Sequence, residues 1–369
     1  MEYHMKTNLP LMAVVAAVVL AGCGKSPKPA AGEPLAQATP APLPTEAPAS
    51  KELNIFCWSE YIPPSLINRF QQETGIQVTV QNYASNEEML SKLLAGGSNF
   101  DLILPGEHVV GALVKDGLLR PIDTAKIPNL RNIDPKFLNR GFDPGNKFSV
   151  PFMAGTVGIV VNTEKIPDDI KGFADVFTEK NRGKIVVLDD AREMVTWGFF
   201  AQGTPINRVS DDDLKKVRPL LAGWLPLVNV YDSDSPKSAL LNGDAAIGIV
   251  WGGEGAILLN EDKKFKWVIP AEGTHLFIDS LAIPKDAKNP ANAEAFMNFI
   301  LRPDVSKEIS DAFPYLNPNR AARELLTPEQ RANPASFPSD EEIARMQVFE
   351  DIGPRALKID EMVTPLKVQ

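Results

Sequence analysis

The chain has 369 residues, 38 of them Lys or Arg and 47 of them Asp or Glu, which gives a net charge of -9 at pH 7. This acidic balance, with no basic stripe or tail, argues against a nucleic-acid-binding protein and is compatible with a cationic partner. The sequence contains 2 cysteines, Cys23 and Cys57. Cys23 lies in an N-terminal segment set apart below, so only Cys57 remains in the folded body, which then has no intramolecular disulfide and must be stabilised by burial of apolar surface.

Residues 1–22 are typical of an export signal. Lys6 supplies a positive flank, residues 9–20 form an apolar segment too short for a comfortable membrane span, and small residues follow. The sequence L-A-G-C at residues 20–23 resembles the lipobox of bacterial lipoproteins. We therefore expect an exported lipoprotein, anchored to a membrane in the periplasm or cell envelope, with Cys23 as its lipidated first residue. An ordinary signal peptide cleaved nearby is the alternative.

The lipidated residue is followed by a proline-rich stretch, so that residues 23–50 form one predicted linker. Residues 24–50 contain seven prolines among Ala, Ser, Thr, Glu and Gly, and almost nothing that could form a core. Such a composition predicts a semi-extended spacer. The remaining body of about 320 residues is too long for one small core and suits two lobes.

The first part of the body alternates between strand and helix patterns. Strands are predicted at residues 53–56, 76–80 and 100–105, and helices at 64–74, 86–95 and 109–116, with Gly75 ending the first helix. This rhythm predicts an open, largely parallel sheet covered by helices on both faces. Ligands of such sheets bind beyond the carboxyl ends of the strands, which is where Trp58 and residues 106–108 fall.

The second part repeats the alternation after a crossing. Residues 148–162 predict two strands around small residues, passing into a second lobe. Further strands are predicted at 184–190 and 245–251, a return crossing at 275–284, and helices at 214–220, 291–301 and 305–311.

The sequence contains no catalytic signature. G-x-S-x-G, H-E-x-x-H and the P-loop are absent, and the glycines at 252–255 lack the dinucleotide spacing. The body holds only His108 and His275, with no metal-ligand spacing. We therefore expect a protein that is not an enzyme, with no metal and no cofactor. A hydrolase using Asp190 and Glu193 is the alternative.

Acidic and aromatic residues instead recur after predicted strands. Trp58, Glu60 and Tyr61 follow the first strand, and Trp251 and Glu254 follow another. Aromatic faces and carboxylates both attract cations, so this mixture favours a cation with an apolar body. Packing of the aromatics in the core is the alternative.

Two further pairs have the same chemistry. Asp190 and Glu193 are three apart at a helix start, so their side chains share a face. A capping box explains this pair equally well. Phe277 and Asp279 are two apart and lie on one side of a strand. A core aromatic and a turn acid are the alternatives there.

Across residues 51–355 the sequence resembles the periplasmic spermidine/putrescine-binding proteins, the substrate-binding components of polyamine ABC importers. The motifs that carry the resemblance are C-W-S-E-Y-I-P-P, F-Q-Q-E-T-G-I-Q-V, Y-A-S-N-E-E-M, F-D-L-I-L-P, G-F-D-P-G-N-K-F-S-V-P-F, L-D-D-A-R-E, I-V-W, I-D-S-L-A-I-P-K-D-A-K-N, L-R-P-D-V and P-Y-L-N-P-N.

The resemblance implies an α/β, two-lobed type II periplasmic-binding-protein fold, with mainly parallel sheets and the ligand in the cleft. The implied lobes are 51–157 plus 278–323 and 158–277 plus 324–369. It also implies a monomer that binds a polyamine and delivers it to an ABC permease of the inner membrane. A polyamine sensor acting on a membrane receptor, or a binding protein for another small cation, stays open.

The resemblance assigns ligand contacts to residues of the matching motifs. They are Trp58, Glu60, Tyr61, Asp190, Glu193, Trp251, Glu254, Phe277, Asp279 and Tyr315. Trp58, Trp251 and Phe277 would form walls for the methylenes, Asp279 would hold an inner amine, and the other acids would hold the ends.

Two departures leave the preferred polyamine open. His108 stands where many members carry a tyrosine, and Phe349 where the spermidine type carries a glutamine that helps to hold the far amine. Protonation of His108 near pH 6 would repel a cationic ligand.

Overall fold

The computed structural model describes residues 50–95 and 99–367. The predicted export signal at 1–22, the lipidation site Cys23 and the linker up to residue 49 lie outside the described residues. Nine strands are described: β1 Glu52–Trp58, β2 Gln77–Tyr83, β3 Leu102–Ile103, β4 Ser149–Asn162, β5 Ile185–Val187, β6 Val228–Tyr231, β7 Ile247–Trp251, β8 Phe265–Val268 and β9 Leu276–Ala282.

The helices of the first part are α1 Pro64–Thr74, α2 Asn86–Leu94 and α3 Glu107–Lys115. Those of the middle are α4 Phe173–Val176, α5 Ala191–Gln202, α6 Asp211–Trp224, α7 Lys237–Asn242 and α8 Gly252–Glu261. Those of the last part are α9 Pro290–Ile300, α10 Pro303–Ala312, α11 Arg320–Arg323, α12 Pro328–Arg331, α13 Asp340–Ile343 and α14 Arg355–Val363. Short 3-10 turns lie at Thr124–Lys126, Pro128–Asn132, Pro135–Phe137, Glu179–Asn181, Leu225–Leu227 and Thr364–Leu366.

The strands join in the order β2-β1-β3-β9-β4-β7-β5-β6, with β8 also paired to β4. β1 is parallel to β2 and β3, and β5 is parallel to β6 and β7. Between these groups β4 and β9 are antiparallel. We call the part built on β1–β3 the first lobe and the part built on β5–β8 the second lobe. The predicted α/β, two-lobed fold is confirmed, with parallel strands in each lobe and an antiparallel pair where the lobes meet.

The prediction of two strands at 148–162 is wrong, because β4 is one strand of 14 residues, all of them buried. Its first half pairs with β9, and its second half pairs with β7 and β8. The small residues make room for aromatic rings and do not form a turn. A Cβ at Gly155 would lie 2.4 Å from Phe277 Cζ, and one at Gly158 would lie 2.3 Å from Trp267 Cζ2. Glycine inside a strand commonly marks such a close approach.

Each lobe buries apolar residues on both faces of its strands. Neighbouring residues of a strand point to opposite faces, so Ile55 and Phe56 of β1 enter different clusters, as do Val186 and Val187 of β5. The C-terminal segment packs on the second lobe, where Ile359 joins the same cluster as Val187. The exact lobe boundaries given above stay a prediction.

The observed ends of the first helices lie at or close to the predicted ones. α1 has its predicted bounds, and Gly75 ends it with φ 71, the left-handed conformation that glycine adopts without strain. α3 begins two residues earlier than predicted, which places Glu107 in its first turn. Within residues 50–95 and 99–367, every helix is too short or too polar to span a membrane.

Candidate functional site

The end of β1 and the loop after it bring two aromatic side chains to the junction of the lobes. The indole Nε1 of Trp58 donates to the carbonyl oxygen of Leu104 at 3.0 Å, which fixes the ring. Tyr61 is buried, and its hydroxyl donates to Asp279 Oδ2 at 2.5 Å. Glu60, between them, is exposed and has φ 52. The loop therefore points one aromatic residue at the carboxylate of β9 and leaves Glu60 at the rim.

Asp279 is the central carboxylate of this region. It is 5% exposed, and burial raises the pKa of its carboxyl to about 7, with Glu107 adding repulsion and Tyr61 opposing the shift. Among the described residues, Tyr61 is the one side chain that donates a hydrogen bond to it. Its other oxygen, Oδ1, would lie 3.5 Å from a Cβ at Gly106. Asp279 thus keeps one carboxylate oxygen for a further donor.

Aromatic rings from separate segments form a chain of contacts that reaches this carboxylate through Tyr61. Phe277 lies edge-to-face with Trp251, with centroids 5.5 Å apart, and with Tyr315 at 6.0 Å. Tyr315 lies 6.1 Å from Tyr61, and Trp58 lies 6.4 Å from Tyr61. Trp251 Nε1 donates to the Ser233 carbonyl oxygen at 2.9 Å. We call these five rings the aromatic enclosure: Trp58, Tyr61, Trp251, Phe277 and Tyr315.

The predicted acidic pair at the start of α5 is only half a capping box. Asp190 Oδ1 accepts from the Glu193 backbone N–H at 2.9 Å, but the Glu193 side chain does not return the bond. It is 1% exposed, accepts from Trp197 Nε1 at 3.3 Å and lies 2.5 Å from His275 Nδ1. Burial and repulsion from Glu193 raise the pKa of the half-buried Asp190 to about 6. The two acids therefore have different surroundings.

Glu193 belongs to a group that the sequence did not predict, the buried triad of Glu107, His275 and Glu193. His275 Nε2 lies 2.9 Å from Glu107 Oε1, so both ring nitrogens face carboxylates. Burial alone would lower the pKa of His275, but the two carboxylates outweigh it and raise the pKa to about 10. Burial alone would raise the pKa of Glu107, yet His275 and His108 hold it well below its ordinary range. The triad thus contains an imidazolium that bridges α3 of the first lobe and α5 of the second.

A signal for His275 was present in the sequence. Residues 275, 277 and 279 are two apart, so His275 lies on the same strand side as Phe277 and Asp279. Phe349 covers it, with ring centroids 3.6 Å apart and planes at 14°. The guanidinium of Arg192 lies 4.5 Å from the Phe349 centroid. Phe349, which stands where the spermidine type carries a glutamine, thus places an aromatic ring between the cationic side chains of His275 and Arg192.

Lys237 was also not predicted, and it contacts two of the predicted acids. Its Nζ lies 2.8 Å from Glu254 Oε1, 3.3 Å from Glu60 Oε2 and 3.2 Å from Ser235 Oγ. Its backbone N–H donates to Glu254 Oε2 at 3.2 Å. Burial raises the pKa of Glu254 in spite of this pairing. Burial opposes the charge of Lys237, but Glu254 and Glu60 raise its pKa.

His108 lies between the central carboxylate and the buried triad. Its ring is half-buried, its Nδ1 is 3.7 Å from Glu107 Oε1, and its Cε1 would lie 3.7 Å from a Cβ at Gly106. Its Nδ1 is buried and has no hydrogen-bond partner among the described residues. The ring meets Phe349 edge-on at 5.9 Å. The ten residues predicted to contact a ligand, and His108 as the eleventh predicted site residue, therefore lie at or near the junction of the lobes, and their roles toward a ligand stay predictions.

The chemistry of this region is that of a cation-binding site. A buried carboxylate among aromatic faces attracts an ammonium group with an apolar stem. Cys57 is buried and free, and burial raises its pKa to about 12, so it is not a nucleophile. Within the described part of the chain, no group of His, Cys, Asp and Glu could hold a metal ion.

A two-lobed α/β body crossed by two strands, with polar and aromatic side chains where the lobes meet, defines a class of solute-binding proteins. Residues 65–339 match the family of bacterial extracellular solute-binding proteins. The chain belongs to this family.

Its relatives agree with the resemblance given above. It is 34% identical to the spermidine/putrescine-binding periplasmic protein of Salmonella typhimurium, over 85% of this chain and 91% of that protein. It is also 34% identical to a putrescine-binding periplasmic protein of Escherichia coli, over 87% and 91%. A putative spermidine/putrescine ABC transporter structure from Listeria monocytogenes has a TM-score of 0.83 and 33% identity, over 86% of this chain and 99% of that one. These relatives bind solutes, which confirms the prediction that the protein is not an enzyme.

Proposed function

We propose that the protein binds a polyamine between its lobes and delivers it to an ABC importer of the inner membrane. The observation that carries this proposal is the Asp279 carboxylate, 5% exposed and hydrogen-bonded to Tyr61 of the aromatic enclosure. An unpaired buried charge costs several kcal/mol, so this carboxylate favours a ligand that brings a positive charge. The rings offer the apolar surface that a methylene chain needs, and each good cation–π contact adds about 0.5–2 kcal/mol. The names of the relatives support the same ligand class.

Lobe closure is the proposed way of holding the ligand. Contacts across the junction include Ser59 with Asp234 and Lys237 with Glu60. A ligand shifts the protein toward its closed form only through better contacts there. Asp279 on a crossing strand, Trp58 in the first lobe and Trp251 in the second would supply such contacts. Micromolar binding needs only about -8 kcal/mol in total, which a few of them provide.

The cellular setting is also part of this proposal. Cys23 would carry a lipid, and residues 24–50 would act as a stiff spacer between the membrane and the binding body. A monomer on such a tether remains close to its permease.

Isothermal titration calorimetry of the purified protein tests the ligand class. We expect putrescine or another polyamine to bind with a Kd in the micromolar range or tighter, and glutamate to give no heat of binding. If putrescine, cadaverine, spermidine and spermine all fail to bind, the proposal is wrong.

A further inference from the structure

Lys237 already occupies the acidic group on one side of Asp279. Its Nζ contacts Glu254 at 2.8 Å and Glu60 at 3.3 Å, and its side chain is 16% exposed. Its backbone N–H also binds Glu254, so two parts of one residue hold this carboxylate. A ligand ammonium at the same place would lie beside a like charge, which costs energy in a partly buried region. Glu254 and Glu60 are therefore satisfied by the chain.

His275 occupies the acidic group on the other side. Its two nitrogens lie 2.5 Å from Glu193 and 2.9 Å from Glu107, which leaves no ring nitrogen for a ligand. This group borders the central site, because Glu107 Oε2 accepts from the backbone N–H of Ile278, the residue before Asp279, at 3.0 Å. The ring of Tyr315 lies against Gly253, next to Glu254, and 6.1 Å from the ring of Tyr61, which donates to Asp279, so Tyr315 links the Lys237 side to the central carboxylate.

The His275 side is also closed to an amine by packing. Phe349 stacks on the His275 imidazole, with ring centroids 3.6 Å apart, and the Arg192 guanidinium lies 4.5 Å from the Phe349 centroid. The ring offers no hydrogen-bond acceptor, and the cations next to it repel an ammonium group. The central ring Phe277 lies only 6.3 Å from His275 and 6.0 Å from Tyr315, so the stretch between the two sides is short.

Of the five acids predicted to contact a ligand, Asp279 and Asp190 have no cationic partner among the described residues, whereas Glu60 and Glu254 bind Lys237 and Glu193 binds His275. Asp279 uses one oxygen for Tyr61, and Asp190 uses one for its helix cap. Each therefore keeps one oxygen for a ligand. A third ammonium group would find no further unpaired acid in this set, and Asp234, which also lies at the junction, is exposed.

We propose that Lys237 and His275 act as built-in cations that limit ligand length, so that the cleft selects a short aliphatic diamine over triamines and tetramines. The proposal rests on the proposed function. Specificity here comes from repulsion at both sides as well as attraction at the centre.

Lys237 gives the cleaner test, because it is less buried than His275. In Lys237→Met, Glu254 and Glu60 become available to a third ammonium. Lys237→Arg keeps the positive charge, and Lys263→Met removes an exposed lysine of the same lobe. Kd values for putrescine, spermidine and spermine are measured by calorimetry at pH 7.5, with thermal melting to check folding.

We expect the unmodified protein to bind putrescine at least tenfold more tightly than spermidine. Lys237→Met should raise the spermidine-to-putrescine affinity ratio at least tenfold, while Lys237→Arg and Lys263→Met leave the ratio within about threefold. A merely structural lysine would weaken all three ligands equally and leave the ratio unchanged. Equal binding of spermidine and putrescine by the unmodified protein, or an unchanged ratio in Lys237→Met, overturns this proposal but not the function. Failure of every polyamine to bind overturns the function itself.

Discussion

The buried triad and Asp279 are two acidic groups of one cleft, and they differ in what neutralises them. In the triad the chain places the His275 imidazolium between two carboxylates. At Asp279 it supplies only the neutral hydroxyl of Tyr61, and the pKa rises to about 7. A buried carboxylate with a cationic partner in the fold belongs to the scaffold. One with only a neutral donor is available for the charge of a ligand.

The largest effect should come from removing the cation of the triad. In His275→Gln, two buried carboxylates lose their counter-charge, and we expect a loss of about 4 kcal/mol in the free energy of unfolding near pH 6. Urea denaturation measures this loss. Retention of full stability would show that the triad is not a scaffold element and would remove the contrast with Asp279.

The same group predicts how stability depends on pH. The folded pKa of His275, about 10, lies above its ordinary value of 6.5, so its contribution is fully present below pH 6.5 and is lost as pH rises toward 10. We expect the protein to lose about 3 kcal/mol of stability from this group between pH 6 and pH 9. In His275→Gln this part of the pH dependence should disappear. The same slope in the variant would assign it to other groups.

Asp279→Asn should have the opposite pattern, with loss of binding and no loss of stability. The amide keeps an acceptor for Tyr61 but removes the charge, and we expect diamine affinity to fall about 100-fold, or about 3 kcal/mol. At pH 8 stability should stay level or increase, because an unpaired buried charge has been removed. Calorimetry and urea denaturation test the two halves. An unchanged Kd, or a clear loss of stability, would place Asp279 in the scaffold with the triad.

The smallest effect concerns the pH dependence of affinity. Asp279 must be ionised to hold an ammonium group, and its pKa in the free protein is about 7. Affinity should therefore fall about tenfold from pH 8 to pH 6. His108→Gln should keep this dependence and Asp279→Asn should lose it, as measured by calorimetry at both pH values. A flat profile in His108→Gln would instead support repulsion by His108.

Much of the architecture could be predicted from the sequence, because the residues that end a helix or a strand lie within a few positions of that end. The left-handed Gly75 ends α1 at the expected place. The aromatic residues Trp58 and Trp251 end β1 and β7, where parallel strands place them at the junction of the lobes. β4 was wrongly predicted as two strands, because Gly155 and Gly158 suggested a break in the chain. They instead make room for rings from β9 and β8, which lie more than a hundred residues away in the sequence.

The charged partners were harder to predict. Lys237 meets Glu254 only because α7 and α8 pack together, and no spacing signals that contact. Glu107 and Glu193 meet at His275 across 168 and 82 residues of sequence. The acids could be predicted as a set, but which of them the chain neutralises depends on tertiary packing.

The burial of Cys57 has a practical consequence for following the lobes in solution. Its thiol is 1% exposed and has a pKa of about 12, so maleimide dyes will react with it slowly. A cysteine introduced at the exposed Asp234, which contacts Ser59 of the opposite lobe, would be the most reactive thiol of the described body. A fluorophore attached there would report separation of the lobes, so that the protein becomes a reagentless optical sensor for its own ligand.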